Sequence, residues 1–256
     1  MSNRSFEDLV EEANTVSVDG WDFSWLNGRA LEERPSWGYQ KSMGERMGYA
    51  TAALDIQTGG GEVLAGIANV PSICVATESW PPNVAIATKL LNPRGIVVVA
   101  DNDEPPLPFA DEAFDLVVSR HPVKAYWNEI ARVLKPGGTY YSQHVGPDSV
   151  SEVFHFFLGP LPDRVDLRTP EIAREGCEAA GLEIVDLRME ELRTEFYDVG
   201  AVIYFLRKVI WMVPGFTVEK YMPQLQEMHQ IIKAEGSFKA TTRRFIIEAI
   251  KPSQSQ

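Results

Sequence analysis

Leu54-Asp55-Ile56-Gln57-Thr58-Gly59-Gly60-Gly61-Glu62 is the stretch whose reading decides the fold. An apolar run ends there in three glycines, and a helical pattern takes over. The pattern predicts a buried strand over Ala50 to Ile56, a tight turn over Thr58 to Gly61, and a helix over Glu62 to Asn69. Glycine lets a backbone approach a ligand without interference from Cβ, and a helix start offers N–H groups with no partner inside the helix. Strand, glycine turn and helix in that order point to a site for a nucleotide-type cofactor.

Downstream, Ser72 to Thr77 reads as a second strand ending on Glu78. A carboxylate there, about 20 residues past a glycine turn, is placed to accept hydrogen bonds from the ribose hydroxyls of an adenosine-containing ligand. A solvated strand-end glutamate is the competing reading. Pro81-Pro82 starts a helix through Leu91, because a first-turn proline lacks only an N–H that had no partner. Gly95 to Ala100, β-branched throughout its middle, reads as a central parallel strand and opens into Asp101-Asn102-Asp103-Glu104. Polar groups past such a strand face the ligand edge, and Asp103 there is able to accept from an adenine amino group; a solvated acidic turn is the alternative.

Ala113 to Ser119 gives a fourth strand leading into Arg120-His121-Pro122, and Val123 to Leu134 a helix stopped by Lys135-Pro136-Gly137-Gly138. A fifth strand, Thr139 to Val145, follows. Thr169-Pro170 marks a helix to Ala180, Leu182 to Glu190 a strand, Asp198 the cap of a helix to Met212, and Val218 to Ala234 another helix. Phe238 to Lys251 is a long last strand. Residues 1–49, rich in aromatics (Trp21, Phe23, Trp25, Trp37, Tyr39, Tyr49), read as an N-terminal cap segment before a domain over 50–256, whose helices at about 198–236 form a substrate cover. The fold class is α/β: a Rossmann-like, doubly wound, mostly parallel seven-stranded sheet with an antiparallel last strand.

The chain has 256 residues and a formal net charge of -12, which disfavours phosphate backbones and anionic lipid surfaces as partners. Cys74 and Cys177 stand far apart without ligand spacing, so no metal site is expected. The polar start, Met1 to Val10, lacks the pattern of a signal peptide, and Val199 to Phe216 is interrupted by Arg207, Lys208 and Pro214. A cytoplasmic protein is the expectation.

Taken together, four stretches resemble the class I S-adenosylmethionine-dependent methyltransferases of the type-11 group. They are the Leu54 to Gly61 loop, Glu78, Leu107-Pro108-Phe109 before Phe114-Asp115-Leu116-Val117-Val118, and Glu129-Ile130-Ala131-Arg132-Val133-Leu134-Lys135-Pro136-Gly137-Gly138. The resemblance implies S-adenosyl-L-methionine as cofactor, with S-adenosyl-L-homocysteine as product. It implies cofactor contacts from Asp55, Thr58, Gly59, Gly60, Gly61, Glu78, Asn102, Asp103, Ser119 and Arg120, with Asp101 a near rival to Asp103. It further implies that the last strand is antiparallel and forms a hairpin with the strand before it. Gln57 departs from the family pattern, which has its first glycine there.

Methyl transfer from a sulfonium is an in-line displacement, so the protein's main task is positioning and exclusion of water. An oxygen acceptor of high pKa would want a general base. His121, then His144, lie on the expected active edge, while His155 and His229 are less well placed. The resulting expectation is an enzyme that methylates a small-molecule acceptor; an RNA methyltransferase and a non-catalytic cofactor-binding protein are the alternatives.

Overall fold

The computed structural model describes residues 4–21, 23–161 and 167–253. Met1 to Asn3, the first part of the polar start, lie outside them. In chain order the elements are α1 (Phe6–Thr15), β1 (Ala30–Glu32), α2 (Tyr39–Met47), β2 (Ala52–Ile56), α3 (Glu62–Ala65), β3 (Ile73–Glu78), α4 (Pro81–Leu91) and β4 (Val97–Ala100). Then come β5 (Phe114–Arg120), α5 (Trp127–Val133), β6 (Leu134–Val145), α6 (Ser151–Leu158), α7 (Pro170–Ala179), β7 (Glu183–Phe196), α8 (Val199–Lys208), α9 (Met222–Glu235) and β8 (Phe238–Ile250). The strands follow the order β1-β7-β8-β6-β5-β2-β3-β4 in a sheet of eight rather than seven; the extra strand is the three-residue β1, antiparallel to β7.

The chain forms two units. The larger comprises residues 35–147, 167–190 and 244–256. Its strands β2 to β6 are parallel, and β8 runs antiparallel to β6. Side chains alternate between two cores, as a strand period of two requires. Ala53, Leu116, Val118, Tyr141 and Ile246 pack with Met43 and Met47 of α2 and Leu91 of α4. Leu54, Ile56, Val117, Tyr140 and Ile247 pack on the opposite face with Ile130 and Val133 of α5 and Cys177 of α7. Each fully buried aliphatic side chain contributes roughly 1.5–3 kcal/mol. Strand order reverses direction between β2 and β5, which makes their carboxyl ends a topological switch point.

The smaller unit comprises residues 1–34, 148–166 and 191–243, and has its own core. In α1 the Ser5 hydroxyl accepts from Asp8 N at 3.1 Å, while Asp8 accepts from Ser5 N at 3.2 Å, a capping box that turns Leu9 and Ala13 inward. Nearly every side of α8 is buried. Asp198 caps it by accepting from Ala201 N at 2.8 Å and is itself gripped in two places by Arg29, at 2.9 and 3.0 Å.

Several sequence boundaries shift for physical reasons. The helix after the glycine turn lasts only from Glu62 to Ala65 and ends at Gly66. The stretch expected as a central strand is the sheet edge, β4, and Val97 is 56% exposed; a β-branched run has the same pattern at an edge as at the centre. The helix expected from Val123 begins only at Trp127. Lys135-Pro136-Gly137-Gly138 does not separate helix from strand but lies within β6, where Lys251 N donates to Gly138 O at 2.9 Å. The helix capped by Asp198 stops at Lys208, and the next begins at Met222. β7 and β8 are neighbours, but α8 and α9 stand between them in sequence, so no tight turn joins them. Among the described residues, no helix is long and apolar enough to cross a membrane, and no group of three or more His, Cys, Asp or Glu side chains is arranged to hold a metal.

A candidate cofactor site at the strand ends

At the switch point the end of β2 meets the end of β5, with Ile56 opposite Ser119. The Ser119 hydroxyl donates to Ile56 O at 2.8 Å, and Ser119 O accepts from Tyr39 Oη and Ser142 Oγ, both at 2.8 Å. Ser119 is fully buried, so its hydroxyl joins two strands rather than facing a ligand. Arg120, the next residue, is exposed.

Three carboxylates stand at successive strand ends. Asp55 is buried and accepts from Thr58 Oγ1 at 2.7 Å; burial, reinforced by the nearby Glu78 charge, raises its pKa to about 7. The Glu78 carboxylate is buried and aimed by three backbone amides: Gly59 N at 2.7 Å, Trp80 N at 3.0 Å and Ser79 N at 3.1 Å. A carboxylate has about four acceptor positions, so one remains. Asp103, past β4, accepts from Ser79 Oγ at 2.8 Å, and its carbonyl accepts from Tyr126 Oη. Burial raises the Asp103 pKa. Asn102 is exposed and turns its side chain back to Glu104 N at 3.2 Å.

The glycine turn supports this arrangement. Gly59 has φ +65°, and no atom lies within 4 Å of where a Cβ would stand. Gly61, with φ +84°, approaches α4 so closely that a Cβ would lie 2.9 Å from Leu91 Cδ1. Gly60 carries no left-handed φ and lies between them. Gln57 adopts φ +58°, the conformation a glycine would supply. Its carboxamide accounts for its presence: Oε1 accepts from Val123 N at 2.6 Å and Nε2 donates to Lys124 O at 3.1 Å. The side chain thus ties the glycine loop to the segment after β5.

His121 also takes a left-handed conformation, φ +55°, at that segment's start. Its backbone N donates to Gln143 O at 2.6 Å, and its ring Nε2 meets Gln143 Nε2 at 2.9 Å. Burial first, then the charges of Arg120 and Arg244 and the neighbouring His144, lower its pKa well below the usual histidine value. The lone pair on Nε2 is engaged by Gln143, which removes the free basic nitrogen a general base requires. His144 is buried and stacked 4.7 Å from Phe245, and burial lowers its pKa to about 3. His155 and His229 belong to the smaller unit.

Sequence reasoning missed Ser79, Tyr126 and Gln143, and marked Trp37 and Tyr39 only as aromatics of the N-terminal segment. Of the missed residues only Ser79 carried a signal, as the residue beside Glu78. The Leu107-Pro108-Phe109 and Glu129 to Arg132 stretches, read as separate signals, form one unit: Glu129 accepts from Leu107 N at 2.6 Å and Arg132 donates to Leu107 O at 3.0 Å.

Two buried oxygens, Asp101 Oδ2 just past β4 and Asn83 Oδ1 in the first turn of α4, have no hydrogen-bond partner among the described residues. Buried acceptors without donors are costly and mark where a ligand's hydroxyl or amino groups would fit. A cofactor bearing ribose hydroxyls and an adenine amino group suits the donor-poor, acid-lined edge.

The family model described as a methyltransferase domain matches residues 54–142. No curated protein matches. A solved structure of a candidate methyltransferase from Bacillus halodurans C-125 is similar over 84% of this chain and 99% of its own, with 19% identity and a TM-score of 0.59. Phosphoethanolamine N-methyltransferase 2 of Haemonchus contortus, solved with phosphomonomethylethanolamine and S-adenosylhomocysteine, is similar over 98% of this chain and 61% of its own, with 17% identity and a TM-score of 0.52. These identities show a shared fold. The matched stretch is thus similar to a methyltransferase domain, and the chain shares the fold of these solved structures.

Proposed function

We propose that this protein binds S-adenosyl-L-methionine at the ends of β2, β3 and β4 and transfers its methyl group to a small-molecule acceptor. The observation that carries the reading is Glu78, buried at the end of β3 and aimed by three amides, with one acceptor position to spare. The bound cofactor supplies an electrophilic methyl on a sulfonium. The chain's own residues bind and orient. Glu78 accepts from a ribose hydroxyl, Asp103 or Asp101 from the adenine amino group, and Asp55 faces the ammonium of the methionine portion. The exposed Trp80 indole, next to Glu78, offers a face to the adenine. Gly59 keeps open the approach to the backbone that a side chain would close. A net charge of -12 supports a small acceptor over RNA.

Calorimetry with S-adenosylmethionine and S-adenosylhomocysteine tests the assignment. Micromolar binding of both by the wild type, weakened in Glu78→Ala, is expected. Absence of binding to the wild type overturns it. A metabolite panel assayed for S-adenosylhomocysteine release then tests transfer, and binding with no turnover on any member would favour a non-catalytic cofactor-binding protein.

A further inference from the structure

In the smaller unit, α9 turns Leu225, Met228, His229 and Ile232 inward. These positions follow i, i+3, i+4 and i+7, the buried stripe of an amphipathic helix. Three of them are apolar; the fourth is a histidine only 9% exposed. A buried polar side chain is ordinarily tied to a partner, because leaving it without one is costly. His229 makes no hydrogen bond among the described residues, and its ring meets Phe6 of α1 edge-on, with the ring centres 5.4 Å apart. Its nitrogens are not sealed in the interior, as His144 Nε2 is, so they open onto the space beside them.

That space is a cleft of about 350 Å³ between α1 and α9. Phe6 and His229 form its floor, while the exposed Glu7 of α1 and Gln226, Glu227 and Gln230 of α9 form its rim. All six residues lie in the smaller unit, and the volume is that of a small-molecule site. Its charge is one-sided. Asp8, beside Glu7, is engaged in the capping box of α1, whereas neither Glu7 nor Glu227 forms an ion pair among the described residues. Lys233, one turn past His229, is exposed and does not line the cleft. No three His, Cys, Asp or Glu side chains among the described residues are grouped to hold a metal, so Glu7, Glu227 and His229 are spaced for something larger than a bare ion. Burial first, then the Lys233 charge, lower the His229 pKa against the opposing charges of Glu7 and Asp198. The ring is therefore neutral at pH 7 and keeps one nitrogen that accepts.

We propose that this cleft binds a small organic cation, an aliphatic amine or a guanidine, whose N–H groups are shared by His229 and the Glu7 and Glu227 carboxylates and whose carbon chain lies against Phe6. The Gln226 and Gln230 carboxamides offer further acceptors at the rim. The assignment goes beyond the methyltransferase reading and does not rest on it, since none of the six residues belongs to the larger unit.

The test uses the full chain with 15N-labelled histidine, His229 being assigned by the signal lost in His229→Leu. Titration with butylamine and with butylguanidine at constant ionic strength should shift the His229 ring signals saturably, with a Kd of about 1 mM or below. Butan-1-ol and sodium chloride should not. Glu7→Gln combined with Glu227→Gln, both at exposed positions, should weaken binding roughly tenfold, the effect of losing charge-assisted contacts. His229→Leu completes the apolar stripe, so it should abolish binding in calorimetry while the midpoint of thermal unfolding holds or rises.

No saturable shift with either cation overturns the site. A shift that butan-1-ol reproduces makes the cleft merely apolar, and one that the double glutamine variant leaves untouched removes the carboxylates; either result refutes the proposal. Binding retained in His229→Leu shows that the imidazole takes no part and refutes it as well. If His229→Leu fails to fold, the double glutamine variant decides alone.

Discussion

One edge of the larger unit's sheet carries two corners of opposite character. At the ends of β2, β3 and β4 stand Asp55, Glu78, Asp101 and Asp103, with buried acceptors and few donors. At the ends of β5 and β6 stand Arg120 and His121, with Arg244 midway along β8 opposite Val145, and burial first, then the charges of the two arginines, lower the pKa of His121. The acidic corner suits hydroxyls, amino groups and positive charge; in the basic corner Gln143 already meets both Trp37 and His121. Catalysis by methyl transfer needs little chemistry from the protein beyond holding two molecules in line. Open acceptors at one corner and closed hydrogen bonds at the other separate holding a ligand from holding the scaffold.

The largest expected effect breaks the acidic corner. Glu78→Ala should weaken S-adenosylhomocysteine binding by roughly a hundredfold, since hydrogen bonds to a charged acceptor contribute roughly 1.5–3 kcal/mol each. It also leaves the amides of Gly59, Ser79 and Trp80 without their acceptor. Calorimetry reads the first loss and thermal unfolding the second. If the variant binds as the wild type does, the acidic corner does not hold the ribose.

Asp55 sharpens the same corner through pH. Its pKa is raised from 3.8 to about 7, chiefly by burial, so the native state keeps a proton that the unfolded chain releases. Between those values the folded protein binds more protons, and its stability falls as pH rises through the window. A cofactor ammonium placed against Asp55 requires the ionised form. Cofactor affinity should therefore drop by about tenfold per pH unit below about 7 and level off above it. Asp55→Asn should flatten both trends, and calorimetry and unfolding over pH 5 to 8 would show whether it does. A pH-independent wild type would remove Asp55 from the ligand.

Gly61 tests the scaffold that both corners share. Gly61→Ala places a Cβ 2.9 Å from Leu91 Cδ1 at φ +84°, a strain that should cost roughly 2 kcal/mol of stability, visible in denaturant unfolding. Unchanged stability would mean that α4 yields.

Much of the acidic corner's layout is legible in the sequence because its signals are local. Pro81 at a helix start, Thr169 as the cap of α7 and Glu78 at the end of β3 all lie where the residue pattern puts them. Other local signals went unread, as with the Ser5 and Asp8 box of α1. The edge position of β4 is not local: it depends on which strand pairs next. The basic corner is the least legible part. Trp37 and Gln143 are 106 residues apart, and nothing in either neighbourhood announces the hydrogen bond between them. Gln57, which reads as a defect in the glycine loop, is explained only by the carbonyl and amide it meets after β5.

That residue joins the two corners and gives the smallest and most specific effect. Gln57→Gly relieves a left-handed conformation that costs a non-glycine residue roughly 1–2 kcal/mol. It also removes two hydrogen bonds of roughly 0.5–1.5 kcal/mol each, and it adds the backbone freedom of glycine, roughly 0.5–1 kcal/mol. The terms cancel only in part, so unfolding should show the variant less stable by about 1 kcal/mol. Local motion should not cancel. The amide of Val123 loses its acceptor, so its hydrogen exchange should quicken while amides in β2 and β5 keep their protection. Quickening throughout those strands would mean that Gln57 supports the whole switch point, whereas an unchanged Val123 amide would mean that the two corners are held together by the strands alone.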